Sequence, residues 1–502
     1  MDCFRDDLAG FDEFAAFVTR LKRMSTQSLV SISRQPHPSY DYEDVRRALD
    51  TLLLQLGLDE NAYGTAQWNP LKDFVRAGDK VLLKPNLIRQ SHLQNSDWNY
   101  VITHHSVIEA VVYYVFKALD GTGEIIIADG PQTDSDFDKI YETLKFDELK
   151  KLYREKHGFT IQVLDLREEK WIEQDLVTVD RIKLAGDPRG YTEFDLAGQS
   201  EFANHQSNGN YYGADYNFNE TRAHHSNGQH RYRVSRSAIE ADVFINLPKL
   251  KTHKKTGVTL SLKNLVGIHG DRNFLPHHTI GTPRDGGDEF PSSNMSSNLQ
   301  SRLTQQFKHA MVRAGGRGGT ALRALKTAGY RVFGSTEDIV RSGNWHGNDT
   351  TWRMALDLNK LLFYGNAGGT FRDSDSRYTS SRRRYLTIVD GIIAGEGNGP
   401  MSPDAKPCGM LVGGFNPLAV DTVCATLMGF DYRKLPILAR GWQIRDLPLA
   451  DFTAEEIECV ANVAGWNGAF DALERASHLD FKPHFGWTNH VERRASEQTV
   501  NA

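Results

Sequence analysis

Short apolar, β-branched runs alternate with amphipathic stretches along the first third of the chain. SLVSISR, KVLLKPNLI, GEIIIADGP and FTIQVLDL have the length and composition of strands, while DYEDVRRALDTLLLQL and HHSVIEAVVYYVFKAL have the apolar spacing of helices. Nearly continuous apolar strands that alternate with helices are typical of a parallel sheet covered on both faces. We therefore predict an α/β fold with a mostly parallel sheet, helices on both faces, and irregular and helical insertions.

Changes in composition divide the chain into segments. The stretch 198–235 is rich in Asn, Gln, His, Tyr and Gly, which predicts an irregular insertion. The predicted divisions are an N-terminal segment at 1–27, the first part of the α/β core at 28–291 with the polar insertion 198–235, a basic helical insertion at 292–380, the second part of the core with a Gly-rich loop at 381–450, and a peripheral C-terminal tail at 451–502.

Charge and cysteine content exclude several classes of function. The formal net charge is −5 over 502 residues, which gives no global attraction to nucleic acid or to an anionic membrane. The four cysteines form no C-x-x-C pair, so we expect neither an iron–sulfur cluster nor a structural zinc site. The opening MDCFRDDLAG carries acids where a secretory signal needs basic and then apolar residues. We expect a cytoplasmic protein.

The densest group of polar residues lies in NLPKLKTHKKTGVTLSLKNLVG. If the strand stays extended past its proline, Lys249, Lys251 and His253 project from one side. TGVTLSLKNLVG suits a short helix that carries Lys263 and Asn264 and presents its N-terminal N–H groups to an anion. This pattern favours a pocket for phosphate or carboxylate. The alternative is a solvated edge strand whose lysines guard against aggregation.

A second group of polar residues lies in IVDGIIAGEGNGP. It places Asp390 at a predicted strand end and Glu396 and Asn398 between glycines, an arrangement that suits Mg²⁺ or another hard cation. A structural turn is the alternative. Asp421, in NPLAVDTVCATLMG, is predicted near the start of an apolar helix, where it either meets a metal or lysine or only caps the helix.

Other polar residues are candidates by position. Lys84, Asn86 and Asp129 follow apolar strands, and ligands of parallel sheets bind beyond the carboxyl ends of the strands. His277 and His278, in FLPHHTIGTP, are either metal ligands or surface residues.

A basic segment interrupts the second half of the chain. Residues 292–336 contain no acidic residue but seven cations: Arg302, Lys308, Arg313, Arg317, Arg323, Lys326 and Arg331. We interpret 302–331 as a helical arm that contacts anionic lipid or an acidic partner, with a solvated helix as the alternative. Its low aromatic content argues against base stacking with nucleic acid.

Several of these motifs together resemble those of a known protein family. LLKPNL, IIIADGP, NLPKLKTHKKTGVTLSLKNLVG, VDGIIAGEGNGP and NPLAVDTVCATLMG, in this order over roughly residues 80–430, resemble the bacterial and archaeal proteins grouped as domain of unknown function 362. Some members carry a cysteine-rich ferredoxin-like cassette, which this chain lacks. The resemblance implies a fold but no reaction. It also implies a shared set of polar positions: Lys84, Asn86, Lys249, Lys251, His253, Lys263, Asn264, Asp390, Glu396, Asn398 and Asp421.

Our first hypothesis is an enzyme that acts on a small phosphorylated or carboxylated substrate with the help of a divalent metal such as Mg²⁺. The predicted substrate-binding residues are Lys84, Asn86, Lys249, Lys251, Asn264 and Asn398. The predicted catalytic residues are His253, Lys263, Asp390 and Glu396, with His253 moving a proton. The predicted metal ligands are Asp390, Glu396 and Asp421.

The second hypothesis is a non-catalytic module that binds an anion in the same pocket. Its basic arm at 302–331 would dock on a membrane or on a biosynthetic partner. Geometry separates the two hypotheses, because the enzyme requires Asp390, Glu396 and Asp421 to approach one another and Lys249.

Overall fold

The computed structural model describes residues 26–174, 177–207, 209–213, 218–292, 339–371 and 383–493, with positions 303, 306 and 310. Most of the N-terminal segment and, apart from these three positions, the predicted basic arm at 302–331 therefore lie outside the described residues.

The strands alternate with helices along the chain, as the apolar pattern predicts. In chain order the strands are β1 Leu29–Arg34, β2 Lys80–Pro85, β3 Glu124–Asp129, β4 Ile161–Asp165, β5 Glu169–Gln174, β6 Val177–Lys183, β7 Tyr191–Asp195, β8 Tyr211–Tyr212, β9 Arg231–Ser235, β10 Val243–Leu247, β11 Lys249–His253, β12 Gly257–Val258, β13 His278–Thr279, β14 Arg384–Asn398, β15 Ser402–Gly414, β16 Glu458–Ala461 and β17 Gly468–Ala469.

The α-helices of the described residues range from four to fifteen residues in length. They are α1 Tyr42–Gln55, α2 His105–Leu119, α3 Phe137–Thr143, α4 Phe146–His157, α5 Phe218–His224, α6 Arg236–Ile239, α7 Leu260–Asn264, α8 Thr351–Tyr364, α9 Pro417–Leu427, α10 Pro436–Gly441 and α11 Phe470–Arg475.

One large mixed sheet organises the described part of the chain. Its order is β17-β16-β1-β15-β14-β10-β2-β3-β4, with β11 beside β14 and β12 beside β11. The strands from β14 through β10 and β2 to β4 are parallel, whereas β15 runs antiparallel to both β1 and β14. The fold is therefore α/β with a mostly parallel sheet, as predicted.

Both faces of the sheet are covered, because successive residues of a strand point to opposite sides. Leu83 and Ile245 belong to the apolar core that contains α1 and α2, while their neighbours Leu82 and Phe244 belong to a core on the other face that contains α8. The carboxyl ends of β2, β3 and β10 consequently lie at one edge between the two layers.

The predicted Gly-rich loop is part of a strand instead. β14 continues through the glycines to Asn398 and pairs with β15 in a long antiparallel hairpin. The missing side chains make room for neighbours, since a Cβ on Gly395 would lie 2.9 Å from both Pro403 Cβ and the Tyr100 carbonyl oxygen. Gly395 therefore serves close packing, whereas Gly397 supplies a left-handed φ of 72° near the end of the strand.

Two segments contain more ordered structure than their composition predicts. The polar insertion 198–235 includes β8, α5 and β9, and its Tyr211 and Tyr232 are buried. The tail 451–502, expected to be peripheral, contributes β16, which pairs in parallel with β1, and the buried Trp487. Neither segment has the apolar runs that reveal a core element in sequence. Among the described residues, no helix is long and apolar enough to cross a membrane.

The buried position of Trp487 gives a test of the tail's contribution. Trp487→Ala removes a side chain that is 1% exposed and leaves the Lys254 carbonyl without the indole N–H that donates to it at 2.9 Å. We expect the free energy of unfolding to fall by about 3–5 kcal/mol in urea denaturation. Tyr63→Ala, at a residue that is 46% exposed, is the control. Equal effects of the two substitutions would show that the tail is dispensable for the core.

Candidate functional site

A cavity of about 260 Å³ lies where β2, β3 and β11 end and α7 begins. Carboxyl strand ends are the usual ligand sites of such sheets. Of the described residues that line it, five are cations and one is a carboxylate, namely Lys251, Lys254, Lys255, Lys263, Arg272 and Asp129. The cavity therefore has a strong excess of positive charge.

Among the described residues that line the cavity, Asp129 is the only carboxylate, and it forms an ion pair with Lys84. Nζ of Lys84 lies 2.6 Å from Oδ1 of Asp129, and both residues are buried. The second carboxylate oxygen accepts a hydrogen bond from the Leu87 N–H at 2.7 Å. Burial raises the pKa of the Asp129 carboxyl, and the adjacent ammonium opposes that rise. Lys84, predicted to bind substrate, thus neutralises Asp129 behind the cavity wall.

Lys249 and Asp390 form a second ion pair that is fully buried. The Lys249 Nζ lies 2.9 Å from Oδ2 of Asp390, and the two residues stand opposite each other in the parallel pair β11 and β14. Oδ1 accepts a hydrogen bond from the Tyr40 hydroxyl at 2.7 Å, and Oδ2 accepts one from the His104 N–H at 3.0 Å. The oxygens of Asp390 are thus occupied inside the protein, and neither residue lines the cavity.

Lys251 lies on the same strand, two residues further along, and its ammonium reaches the cavity wall. It donates to the carbonyl oxygen of Val101 and, at 3.2 Å, to Oδ1 of Asn86. Burial, with the charges of Lys249 and Lys263, holds the pKa of Lys251 well below its usual value. Alternate positions of β11 thus carry one lysine that is neutralised and one that is not.

Three asparagines beside the cavity orient one another's side-chain amides through hydrogen bonds. Nδ2 of Asn86 donates to Oδ1 of Asn264 at 2.9 Å, and Nδ2 of Asn264 donates to Oδ1 of Asn246 at 2.7 Å. Nδ2 of Asn246 then donates to the Tyr385 hydroxyl at 2.8 Å. Each amide is used at both ends, so the oxygen of Asn86 is left to face Lys251.

Lys263 and Arg272 complete the cationic wall of the cavity. Lys263 is the lysine of α7, and it is only 9% exposed. Burial, with the charges of Arg272 and Lys84, lowers the pKa of Lys263 to about 7. Arg272 is buried and donates to the carbonyl oxygen of Pro131 at 2.7 Å. Burial, with the charge of Arg167, lowers the pKa of Arg272 to about 10.

Two histidines of the lining are held in opposite tautomers. Nδ1 of His253 accepts hydrogen bonds from the N–H groups of Lys255 and Thr256, at 3.0 and 3.2 Å, so its proton sits on Nε2. Nδ1 of His277 donates to the carbonyl oxygen of Leu275 at 2.8 Å, which leaves Nε2 as an acceptor. Burial, with nearby lysine charges, holds both pKa values well below 6.5. The cavity thus contains one neutral imidazole donor and one neutral imidazole acceptor.

Asp421 holds the start of α7. Its two oxygens accept hydrogen bonds from the N–H groups of Ser261 and Leu262, both at 2.8 Å. Burial raises the pKa of this carboxyl to about 7. The predicted short helix exists, but its N-terminal donors bind Asp421 and are not open to a ligand. The Asp421 carboxylate therefore caps α7, a neighbouring helix. The sequence suggested instead that it caps its own helix, α9, or meets a metal or a lysine.

Glu396 and Asn398 also lie away from the cavity. Oε2 of Glu396 is 3.1 Å from the Lys406 ammonium and accepts a hydrogen bond from the Lys482 N–H at 3.0 Å. Asn398 is exposed at the end of β14, opposite Ser402. The hairpin therefore reaches the cavity through Pro400 and Met401, and neither Glu396 nor Asn398 belongs to the lining.

The geometry separates the predicted residues into two sets. Asn86, Lys251, His253, Lys263 and Asn264 line the cavity together. Asp390 contacts Lys249, but Glu396 and Asp421 have other partners, and in the described part of the chain no group of three or more His, Cys, Asp or Glu residues could hold a metal ion. These three carboxylates consequently do not fit the shared Mg²⁺ site that the sequence suggested.

A comparison with known protein families matches the part of the chain that forms the cavity. A family model described as domain of unknown function (DUF362) matches residues 81–195 and 204–426. The chain belongs to this family. Strands β3, β10 and β11, the helix α7 and nearly all of β2 and α9 fall inside the matched ranges. Membership of DUF362 confirms the resemblance but assigns no reaction.

The chain is also similar to a protein whose name refers to the thylakoid. The thylakoid-associated protein sll1697 of Synechocystis is 26% identical to this DUF362 chain over 412 residues, which cover 82% of this chain and 78% of that protein.

Sequence reasoning missed part of the cavity wall of this DUF362 protein. Arg272 and Lys255 line the cavity, although neither stood out in its motif. His277 and His278 were considered only as metal ligands or surface residues, and the structure places both on the cavity lining. Asp129, a candidate from its strand-end position, ends β3 and lines the cavity together with Gly130.

The close approach of the 3₁₀ segment Leu265–Ile268 to the Lys84–Asp129 pair can be tested at Gly267. A Cβ on this residue would lie 1.8 Å from Oδ1 of Asp129 and 2.7 Å from Nζ of Lys84. We expect Gly267→Ala to separate the pair and to lower the free energy of unfolding by roughly 3–5 kcal/mol, as breaking a buried ion pair does. The measurement is chemical denaturation.

Gly198→Ala is the matched control for this substitution, because a Cβ on Gly198 meets no atom within 4 Å. If Gly267→Ala were as stable as Gly198→Ala, the close packing of the 3₁₀ segment Leu265–Ile268 on this pair would be refuted.

Proposed function

We propose that this DUF362 protein is an enzyme that binds a small phosphorylated or carboxylated molecule in the cavity lined by Lys251, Lys263 and Arg272. The observation that carries the proposal is the set of buried cations without carboxylate partners. Lys84 and Lys249 each have an aspartate within ion-pair distance, whereas these three cations pair with no carboxylate of the described residues.

Burying a charged group without a counter-charge is unfavourable, so an unpaired buried basic group either releases its proton or gains stability from a bound anion. An anionic ligand supplies the missing charge, and charge-assisted hydrogen bonds to phosphate or carboxylate are among the stronger polar contacts in proteins. The cavity volume of about 260 Å³ is slightly below the roughly 300–1,000 Å³ of drug-sized ligand pockets. The substrate is therefore a small metabolite, not a polymer.

The two histidines favour an enzyme over a simple binding module. A donor at His253 and an acceptor at His277 suit proton movement in opposite directions, and a lysine with a pKa of about 7 changes charge near neutral pH. The proposal contains no step through a metal, because Asp390, Glu396 and Asp421 are engaged with other groups.

Sulfate binding tests the anion pocket, because the charge of sulfate is constant near neutral pH. We expect sulfate to raise the melting temperature, and its affinity to fall as the pH rises from about 6 to about 8. The sign follows from Lys263: burial lowers its pKa to about 7, so its ammonium is available below that pH and is lost above it.

Lys263→Met should weaken sulfate binding by about tenfold or more, equivalent to roughly 1.5–3 kcal/mol, and should flatten this pH dependence. Lys263 makes no hydrogen bond within the described residues, so the substitution leaves no internal acceptor unpaired. Lys72→Met, which removes a lysine that is 47% exposed and paired with Asp59, is the control. Sulfate affinity that is unchanged in Lys263→Met would contradict the pocket.

A second candidate function is attachment to an anionic membrane surface through residues 302–331. Two observations favour it: the absence of acidic residues between 292 and 336, and the similarity to a protein named as thylakoid-associated. Each basic residue near an anionic bilayer contributes on the order of 1 kcal/mol. The seven cations of this segment are sufficient for reversible attachment at low salt.

Co-sedimentation with lipid vesicles tests this attachment. We expect binding to vesicles that contain anionic lipid, release by salt, and no binding to neutral vesicles. The triple substitution of Arg313, Arg317 and Arg323 by Gln should reduce binding strongly. The matched control replaces three exposed cations of α4 by Gln: Lys151, Arg154 and Lys156. Equal binding by both triple variants would exclude a specific role for the segment.

A further inference from the structure

Lys263 differs from the other cations of the cavity in its lack of an acceptor. Lys251, Arg272 and Lys255 each donate to backbone carbonyl oxygens, the last to Ser342 at 2.6 Å. Within the part of the chain that the structure describes, the Lys263 amine forms neither a hydrogen bond nor an ion pair, although the residue is 9% exposed and its side chain lines the cavity. The protein thus orients these three side chains, whereas the Lys263 amine has no partner among the described residues.

The surroundings of Lys263 make that amine a nucleophile. Burial and the charges of Arg272 and Lys84 lower its pKa to about 7, so much of it is unprotonated near neutral pH. Desolvation beside another cation is an established way to activate a lysine for attack on a carbonyl carbon. An amine used only to neutralise an anion gains nothing from losing its proton.

We propose that Lys263 forms a Schiff base with a small substrate that carries both an anionic group and a carbonyl group, such as a 2-oxo acid or a phosphorylated aldehyde. This inference rests on the proposed anion pocket and narrows its substrate class. Lys251 and Arg272 hold the anionic group, and Lys263 faces the carbonyl carbon.

The bond changes balance without any further reactant. The Nζ lone pair attacks the carbonyl carbon, a C–N bond forms, and the carbonyl π electrons move onto oxygen. His277, whose Nε2 is an acceptor, takes a proton from the nitrogen and returns it to the oxygen, while the Nε2–H of His253 donates a hydrogen bond to that oxygen. The remaining lone pair on nitrogen then forms the C=N bond as the C–O bond breaks. The second N–H proton passes through the same His277 nitrogen to the leaving hydroxide, so that one water and a neutral imine result.

Reductive trapping tests this step on the full-length protein. The protein is incubated with sodium cyanoborohydride and either pyruvate or glycolaldehyde phosphate, digested, and mapped by mass spectrometry. We expect one adduct, on Lys263, in the wild-type protein and in the exposed control Lys72→Arg. Lys263→Arg keeps the positive charge but cannot form an imine, so it should bind the same anion without an adduct.

Anion binding is measured in parallel, by calorimetry without reductant, so that the two proposals fail separately. Binding without any adduct would overturn the Schiff base and leave the anion pocket intact. An adduct on Lys251, on Lys255 or on surface lysines would also overturn it. Failure to bind sulfate, pyruvate or glycolaldehyde phosphate would remove both proposals. Lys263→Met, which lacks the amine and the charge, replaces Lys263→Arg if the latter does not fold, as checked by circular dichroism.

Discussion

Two buried lysine–aspartate pairs are the interaction on which this site depends. Lys84–Asp129 joins the ends of β2 and β3, and Lys249–Asp390 joins β11 to β14. A pair that is surrounded by hydrogen-bond partners can remain inside a protein, whereas either member alone would be strongly destabilising. The two pairs therefore fix the strand ends at which the cavity opens. Their carboxylates are used in these pairs, and among the described residues no carboxylate pairs with Lys251 or Lys263.

The polar groups between the pairs are oriented by their neighbours. The asparagine chain runs from Asn86 through Asn264 to Asn246 and ties α7 to β2 and β10. Asp421 holds the first turn of α7 from the other side. A short helix of five residues would not be stable alone, and these contacts keep its lysine in place. The positions of the polar groups on the cavity wall thus depend on hydrogen bonds between residues of the protein itself.

Much of the cationic half of this arrangement was predictable from sequence. The period of two in β11 and the strand-end position of Asn86 depend only on local geometry, and the structure places Asn86, Lys251 and His253 on one cavity. The acidic half was not predictable. Asp390 looks like a strand-end ligand only if the glycines after it form a loop, and whether glycines turn or extend is decided by β15 and β11 packing beside them. Arg272 reaches the cavity through the tertiary fold of a loop, for which the sequence has no periodic signal.

The unequal treatment of the lysines follows from the energetics of buried charge. Where a lysine ties two strands together, its charge must persist, and the fold supplies an aspartate. Where the lysine faces a cavity, a permanent partner would occupy the place of a ligand. An unpaired amine avoids most of the cost of burial by releasing its proton, which agrees with the lowered pKa of Lys263. The same release makes the nitrogen lone pair available. The absence of a counter-charge beside Lys263 therefore limits the cost of burying this residue and also underlies its proposed role as a nucleophile.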